Sequence, residues 1–174
     1  MTAVYLLLGT NMGDRLQHLE DACVLLSALK GNDGQPVLGS SKDVPGIFTK
    51  SPIYETAAWG KIEQADYLNQ AVAFSTALDP WKLLEATSAI ESQLGRVRRK
   101  VWEPRIIDID ILFYGSQIIR EDRLVIPHPH LQDRRFVLQP LSDIAPSFVH
   151  PVLKKTICTL LKQCKDPLWV RKYS

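Results

Sequence analysis

Two aspartates, Asp108 and Asp110, stand two residues apart inside an otherwise apolar run from Ile106 to Tyr114. That run reads as a β-strand, along which side chains alternate, so Ile107, Ile109 and Ile111 face one way and both aspartates the other. An unpaired carboxylate in such a place is costly, and two like charges side by side repel. Just upstream, Arg96, Arg98, Arg99, Lys100 and Arg105 supply cations on what reads as a loop. Two arrangements would relieve the aspartates. A divalent cation would do so, making the carboxylates and the cationic loop a site for Mg²⁺ and a polyphosphate. A structural ion-pair network with Arg105 and its neighbours would also serve. The residues alone leave both open.

The elements that must hold this stretch can be read along the chain. Ala3–Leu8 is a short apolar run ending at Gly9, the pattern of a buried strand. Asp14 is placed to cap a helix running from Arg15 to Leu29, with Leu16, Leu19, Cys23, Leu26 and Leu29 at helical spacing. Lys30–Pro45 is rich in turn-forming residues and reads as a loop, with a short strand at Val37–Leu38. Ile47–Thr56 and Asn69–Thr76 read as strands. Asp79-Pro80 opens a second helix and Gly95 stops it. After the aspartate strand, Tyr114-Gly115-Ser116-Gln117 reads as a tight hairpin turn into Ile118–Ile119. A helical piece near Leu138–Ile144 and a last helix around Leu153–Cys164 follow. The order β-α-β-β-α-β predicts an α+β fold of ferredoxin-like type, a mostly antiparallel sheet backed by helices, with a C-terminal hairpin and helical extension.

Bulk properties restrict the setting more than the chemistry. The 174 residues suit a single domain spanning 1–174, and 45% hydrophobic with 23% charged residues is ordinary for a globular chain. A net charge of +2 points to neither nucleic acid nor membrane. The first apolar run is too short for a signal peptide or a span. Cys23, Cys158 and Cys164 lack metal-type spacing, and buried free thiols suit a reducing cytoplasm.

The stretch Gly95–Leu112, with W-x-P-R-x-x-D-I-D-I-L following G-R-x-R, resembles the signature of the 6-hydroxymethyl-7,8-dihydropterin pyrophosphokinases, enzymes of folate synthesis. Other segments are similar to that family in the same order: Tyr5–Asn11 with its G-T-N turn, Tyr67-Leu68-Asn69, and Pro127-His128 through Arg134 to Phe136. The resemblance runs from Tyr5 to about Pro146. It implies transfer of diphosphate from ATP to the pterin's hydroxymethyl group, with ATP as co-substrate and two Mg²⁺ ions held by Asp108 and Asp110. It also implies a catalytic set of Arg96, Arg98, Arg105 and the two aspartates. ATP would meet Ser88, Glu91, Arg98, Trp102, Arg105, Ile111, His128 and Arg134. A pterin wants aromatic faces and a polar rim. By position in the family pattern, Trp102 or Phe136 would stack, Asn69 and Thr56 would read its edge, and Tyr67 would support that wall. Ala57 and Trp59 depart from the residues usual at their places.

No Walker G-x-x-x-x-G-K-S/T loop is present, so phosphates must be held by side chains and metal. Arginine's planar fork suits that task. A rival of another class is an RNA-binding module, which shares the element order. Asp108 and Asp110 would repel a nucleic-acid backbone, and the aromatic-rich strand signature is missing. No nucleic acid, membrane or obligate protein partner is therefore expected beside the two small-molecule substrates.

Glu103 stands where the family usually has glycine, close to the expected phosphate path. A solvent-facing side chain is expected there. Glu103→Gly should then change the rate of diphosphate transfer by less than about tenfold, or ~1.4 kcal/mol of barrier. A larger loss in steady-state assays would give Glu103 an organising role in the loop.

Overall fold

The computed structural model describes residues 1–31, 34–39, 44, 47–57, 65–95 and 106–174. β1 (Thr2–Thr10) leads through α1 (Arg15–Ser27) to three short strands, β2 (Leu38–Gly39), β3 (Thr49–Lys50) and β4 (Tyr54–Thr56). Then come β5 (Tyr67–Thr76), α2 (Pro80–Gln93) and β6 (Asp108–Tyr114). Beyond them lie β7 (Ile119–Glu121), β8 (Leu124–Ile126), a 3-10 turn at Leu131–Asp133, α3 (Arg135–Ile144), α4 (Ile157–Gln163) and β9 (Val170–Lys172). The main sheet runs β6-β1-β5-β4-β9, with β2 and β3 also on β5, and its pairings are antiparallel. The result is a mixed α/β fold.

Both faces of the sheet are covered. On one, Val4, Leu6, Leu8, Leu68, Val72, Phe74, Ile107, Ile109 and Ile111 form a core with Leu19 and Leu26 of α1 and Leu83 and Ile90 of α2. On the other, Tyr5, Leu7, Ala71, Ala73, Leu112 and Phe113 pack with Val137, Leu138 and Leu141 of α3 and Ile157 and Leu160 of α4. Double coverage explains why Ala3–Leu8 shows no polar alternation: each face of β1 must be apolar. A fully buried leucine such as Leu8 or Leu138 contributes about 2–3 kcal/mol.

The helix ends follow the expected chemistry. Asp14 accepts from the Gln17 amide, and Asp79, followed by Pro80, accepts from Trp81 and Lys82. Cys23 and Cys164 are buried, as their apolar neighbours predict, and burial pushes the Cys23 thiol up to about 11. No helix among the described residues is long and apolar enough to cross a membrane.

Several elements differ from the sequence reading. Ile47–Thr56 forms two short strands, β3 and β4, both on β5, with the Ser51 amide bonded to the Ala71 carbonyl between them. The turn at Gly115 does not fold the chain back on β6; β7 pairs with β8 as a separate two-stranded sheet. The last helix starts at Ile157 because Thr156 caps it, accepting from the Thr159 amide. β9, which carries little apolar signal, pairs with β4.

A small ion cluster ties the β4 edge together. Glu55 Oε1 accepts from Arg15 Nη1 and Nη2 at 3.2 Å, and Glu55 Oε2 accepts from Arg171 Nε at 3.0 Å. Arg15 Nη1 also donates to the Asp66 carbonyl at 2.8 Å, so the start of α1 is joined to both β4 and the entry to β5. The Arg171 hydrogen bond and then Arg15 hold the Glu55 carboxyl below the ordinary range. A lowered folded pKa makes its contribution complete above the unfolded value, near about 4.3, and lost as pH falls through the folded one. Glu55→Gln should therefore unfold at a lower temperature than wild type at neutral pH. Melting curves taken on acidification below that value should converge; a gap that persists would mean the charge is not what stabilises.

Candidate active site

Strand pairing places the candidate residues. On the α3-side face of the sheet, Asp108 lies opposite Gly9 of β1, and Gly9 lies opposite Asn69 of β5. One row inward, Asp110 lies opposite Leu7, which lies opposite Ala71. One row outward, Tyr67 pairs with Thr56 of β4. Residues of one strand spaced by two share a face, so Asp108, Asp110, Asn69, Tyr67 and Thr56 collect at one end of this face, beyond the α3 cover. Ile107, Ile109 and Ile111 point into the opposite core, as the alternation predicts.

A register shift between Tyr5 and Leu6 marks where this alternation ends. Leu6 pairs with Ile111 but Tyr5 with Phe113, so Leu112 is an extra residue, and both Leu112 and Phe113 join the α3-side core. Bulges of this kind re-aim side chains. Here alternation carries the face from Asp108 and Asp110 to Leu112, and the bulge brings Phe113 onto it as well.

Gly9 lets the Asn69 side chain lie close against β1. A Cβ at Gly9 would stand 3.2 Å from Asn69 Oδ1, tighter than an ordinary contact. With strands about 4.8 Å apart, the aspartate and asparagine backbones stand roughly 10 Å apart, one on each side of Gly9. Asn69 is itself fixed: it is buried, and its Nδ2 donates to Thr56 Oγ1 at 2.8 Å. Its Oδ1 lies on the Gly9 side. The sequence signal for this close approach was a glycine at the end of an apolar strand.

The chain after β8 lines the aspartate side. The His128 amide donates to the Leu112 carbonyl at 3.0 Å, and His128 Nε2 stands 3.9 Å from Asp110 Oδ1. Burial, then the Arg134 charge, push the imidazole down to about 4, against the pull of the Pro129 backbone and of Asp108. His128 is thus neutral at pH 7, and its approach to Asp110 is a dipolar contact rather than an ion pair. His128 Nδ1 is buried with no hydrogen-bond partner among the described residues. Arg134 precedes α3, with its guanidinium 5.9 Å from the centre of the half-buried Phe136 ring.

On α2, Glu91 is 4% exposed, and its Oε1 accepts from the Ile109 amide at 2.8 Å. A solvated helix face would be the commoner place for such a residue; its burial against β6 is not visible in the sequence. Ser88 is half-buried one turn earlier. The Ile111 side chain does not join the aspartate face, and Ala57 is half-buried just past β4. Trp59, Arg96, Arg98, Trp102, Glu103 and Arg105 lie outside the described residues.

The donor set suits a hard cation. Asp108 and Asp110 are oxygen donors, partly exposed and on one face, and Mg²⁺ binds through one or two carboxylates while keeping waters and substrate phosphates. Among the described residues no group of three or more His, Cys, Asp or Glu side chains forms a closed cage.

Several known proteins resemble the chain. The profile of the family described as 7,8-dihydro-6-hydroxymethylpterin-pyrophosphokinase (HPPK) matches residues 5–146. The chain is 42% identical over 151 residues to a 2-amino-4-hydroxy-6-hydroxymethyldihydropteridine pyrophosphokinase of Methylorubrum extorquens, covering 86% of each. It is 36% identical over 157 residues to the protein so named from Aquifex aeolicus, covering 90% of this chain and 89% of that one. In fold it is similar to a crystal structure of HPPK-DHPS in complex with substrates, with a TM-score of 0.63 at 16% identity over 93% of this chain. Wild-type Plasmodium falciparum HPPK-DHPS with SDX-DHP gives a TM-score of 0.67 at 19% identity. The chain spans 43% of the length of each of those two solved chains.

The aspartate pair makes a prediction about stability. Without a divalent cation, two carboxylates on one face repel. Asp108→Asn and Asp110→Asn should then unfold, in chelator, at temperatures equal to or above wild type. Destabilisation of either by roughly 3 kcal/mol or more would instead mark a buried ion pair with one partner removed.

Proposed function

Because the chain belongs to the 7,8-dihydro-6-hydroxymethylpterin-pyrophosphokinase family, we propose that it transfers diphosphate from ATP to the hydroxymethyl group of 6-hydroxymethyl-7,8-dihydropterin, releasing AMP, in folate biosynthesis. The observation that carries this reading is the row Asp108–Gly9–Asn69: a carboxylate for a metal on one side, a fixed amide on the other, and between them a glycine that the amide approaches closely. Asn69 and Thr56 read the edge of the pterin, Tyr67 supports that wall, the backbone groups of Ala57 and Trp59 serve beside it, and Trp102 or Phe136 stacks on its face. ATP lies on the aspartate side, along Ser88, the Ile111 backbone, His128 and Arg134, with Arg96, Arg98 and Arg105 on its phosphates; Glu91, buried and bonded to the Ile109 amide, lies behind that line. The hydroxymethyl group meets the β-phosphorus between Asp108 and Asn69.

Asp108 and Asp110 would hold Mg²⁺, two ions in this reading, and the bound metal would supply charge neutralisation for the triphosphate. The hydroxymethyl oxygen bonds to the β-phosphorus, the bond from that phosphorus to the α,β-bridging oxygen breaks, and AMP departs with that oxygen. The hydroxyl proton passes to a carboxylate on the aspartate face. His128, neutral, offers ATP a hydrogen bond rather than a charge, whereas Arg134 offers a permanent one. Alignment and charge compensation supply most of the catalysis in such a transfer.

The same reading takes the fold as ferredoxin-like, with β2, β3 and β4 together standing for its second strand. It takes residues 1–174 as one domain, since the two cores share one sheet. It places the enzyme in the cytoplasm, where its three free thiols stay reduced.

Product analysis tests the reaction. With ATP, Mg²⁺ and the dihydropterin, AMP should appear in step with pterin consumption. ADP as the coupled product would mean that a single phosphoryl group moves, and the proposed mechanism would be wrong.

A further inference from the structure

β6 is the outer strand of the main sheet, and an outer strand presents backbone groups that its single neighbour cannot pair. Two of these groups on β6 are met from outside the sheet. The Leu112 carbonyl takes the His128 amide at 3.0 Å, and the Ile109 amide gives its hydrogen to Glu91 Oε1 at 2.8 Å. Ile109 is the residue between the two aspartates, and its N–H belongs to the peptide unit that follows Asp108. Its side chain is 6% exposed in the helix-side core. The backbone there is thus held from two directions, by the packed Ile109 side chain and by a buried carboxyl group reaching from α2.

We propose that Glu91 is a positioning residue for the metal site, setting the relative aim of Asp108 and Asp110 through the backbone amide between them. The inference rests on the reading of the two aspartates as cation ligands. Orienting a metal ligand through an outer hydrogen bond is a general device, and here the bond acts on the strand rather than on the ligand side chains. Among the described residues β1 is the strand that pairs with β6, and the Glu91 contact adds a second hold on it from α2. The bond asks for an acceptor oxygen at that point, not for a charge.

That requirement separates two variants. Glu91→Gln keeps an acceptor oxygen on a side chain of the same length, whereas Glu91→Leu fills the space without one. The experiment uses the full chain and Mn²⁺ with a non-hydrolysable ATP analogue, reading Mn²⁺ affinity by electron paramagnetic resonance. Exchange of the Ile109 amide is followed by NMR on the metal-free protein. In Glu91→Leu, Mn²⁺ affinity should fall by about 10- to 100-fold. The Ile109 amide should at the same time exchange faster by about tenfold or more. Glu91→Gln should hold both quantities within about threefold of wild type. Equal losses in the two variants with Ile109 exchange unchanged would overturn the proposal, and would make Glu91 a charge that meets the ligand directly. Should Glu91→Leu fail to fold, Glu91→Gln decides alone: retained affinity supports the proposal, and a loss of about tenfold or more overturns it. Wild-type protein that binds no Mn²⁺ would overturn the metal reading of Asp108 and Asp110 itself, and the proposal with it. Normal wild-type binding with unchanged affinity in Glu91→Leu would overturn only the role of Glu91.

Discussion

The pairing of β1 with both of its neighbours is the constraint on which the site depends. β1 sits between β5 and β6, and its Gly9 lies opposite Asn69 on one side and Asp108 on the other. A slip of one residue on either side would turn that strand's side chains to the other face. Slipped on the β6 side, Asp108 and Asp110 would enter the helix-side core, among Leu6, Leu8 and Ile90. The cost of burying two unpaired carboxylates there is what holds the register. Hydrophobic packing and the candidate chemistry therefore impose the same requirement on the same strand.

The two ends of the α3-side face have different tasks. Toward Phe113 it is closed by α3 and α4 and packed with Tyr5, Phe148 and Leu138. Toward Asp108 it carries polar side chains, with Asn69 and Thr56 buried and the two aspartates partly exposed. Alternation alone carries the face from Asp110 to Leu112, and the bulge at Leu112 adds Phe113 to it. Burial of His128 follows from the same geometry. Its amide is tied to the Leu112 carbonyl, so the imidazole is carried against Asp110 and loses its charge there. Beside the two aspartates, His128 thus offers a neutral dipole and Arg134 a positive charge.

Polar contacts on the outer elements keep the frame rigid. Glu55 gathers Arg15 and Arg171, joining α1, β4 and β9. Asp166 accepts from the Arg135 amide while Arg135 donates to the Cys164 carbonyl, so the segment after α4 is tied to the start of α3. Both are contacts between residues far apart in the chain, and both border elements that carry site residues: Thr56 on β4, and Arg134 and Phe136 at the start of α3.

The local signals in the sequence were strong enough to determine β1, β5, β6, α1 and α2, because each rests on a run of apolar residues at one period or on a capping aspartate. The same alternation determined that Asp108 and Asp110 share a face and that the isoleucines between and around them do not. What the sequence could not carry was anything set by contact between distant residues. β9 has no apolar pattern of its own and exists as a strand only because β4 offers it an edge. The turn at Gly115 looked like a return to β6, but β1 occupies one edge of β6, and Glu91 and His128 bond to its other. Glu91 was expected beside ATP from the resemblance alone, and only the packing of α2 against β6 turned its carboxyl to the Ile109 amide. Period and capping are properties of neighbours in the chain; strand edges, buried acceptors and the close approach of Asn69 to Gly9 are properties of neighbours in space, and tertiary structure alone decided them.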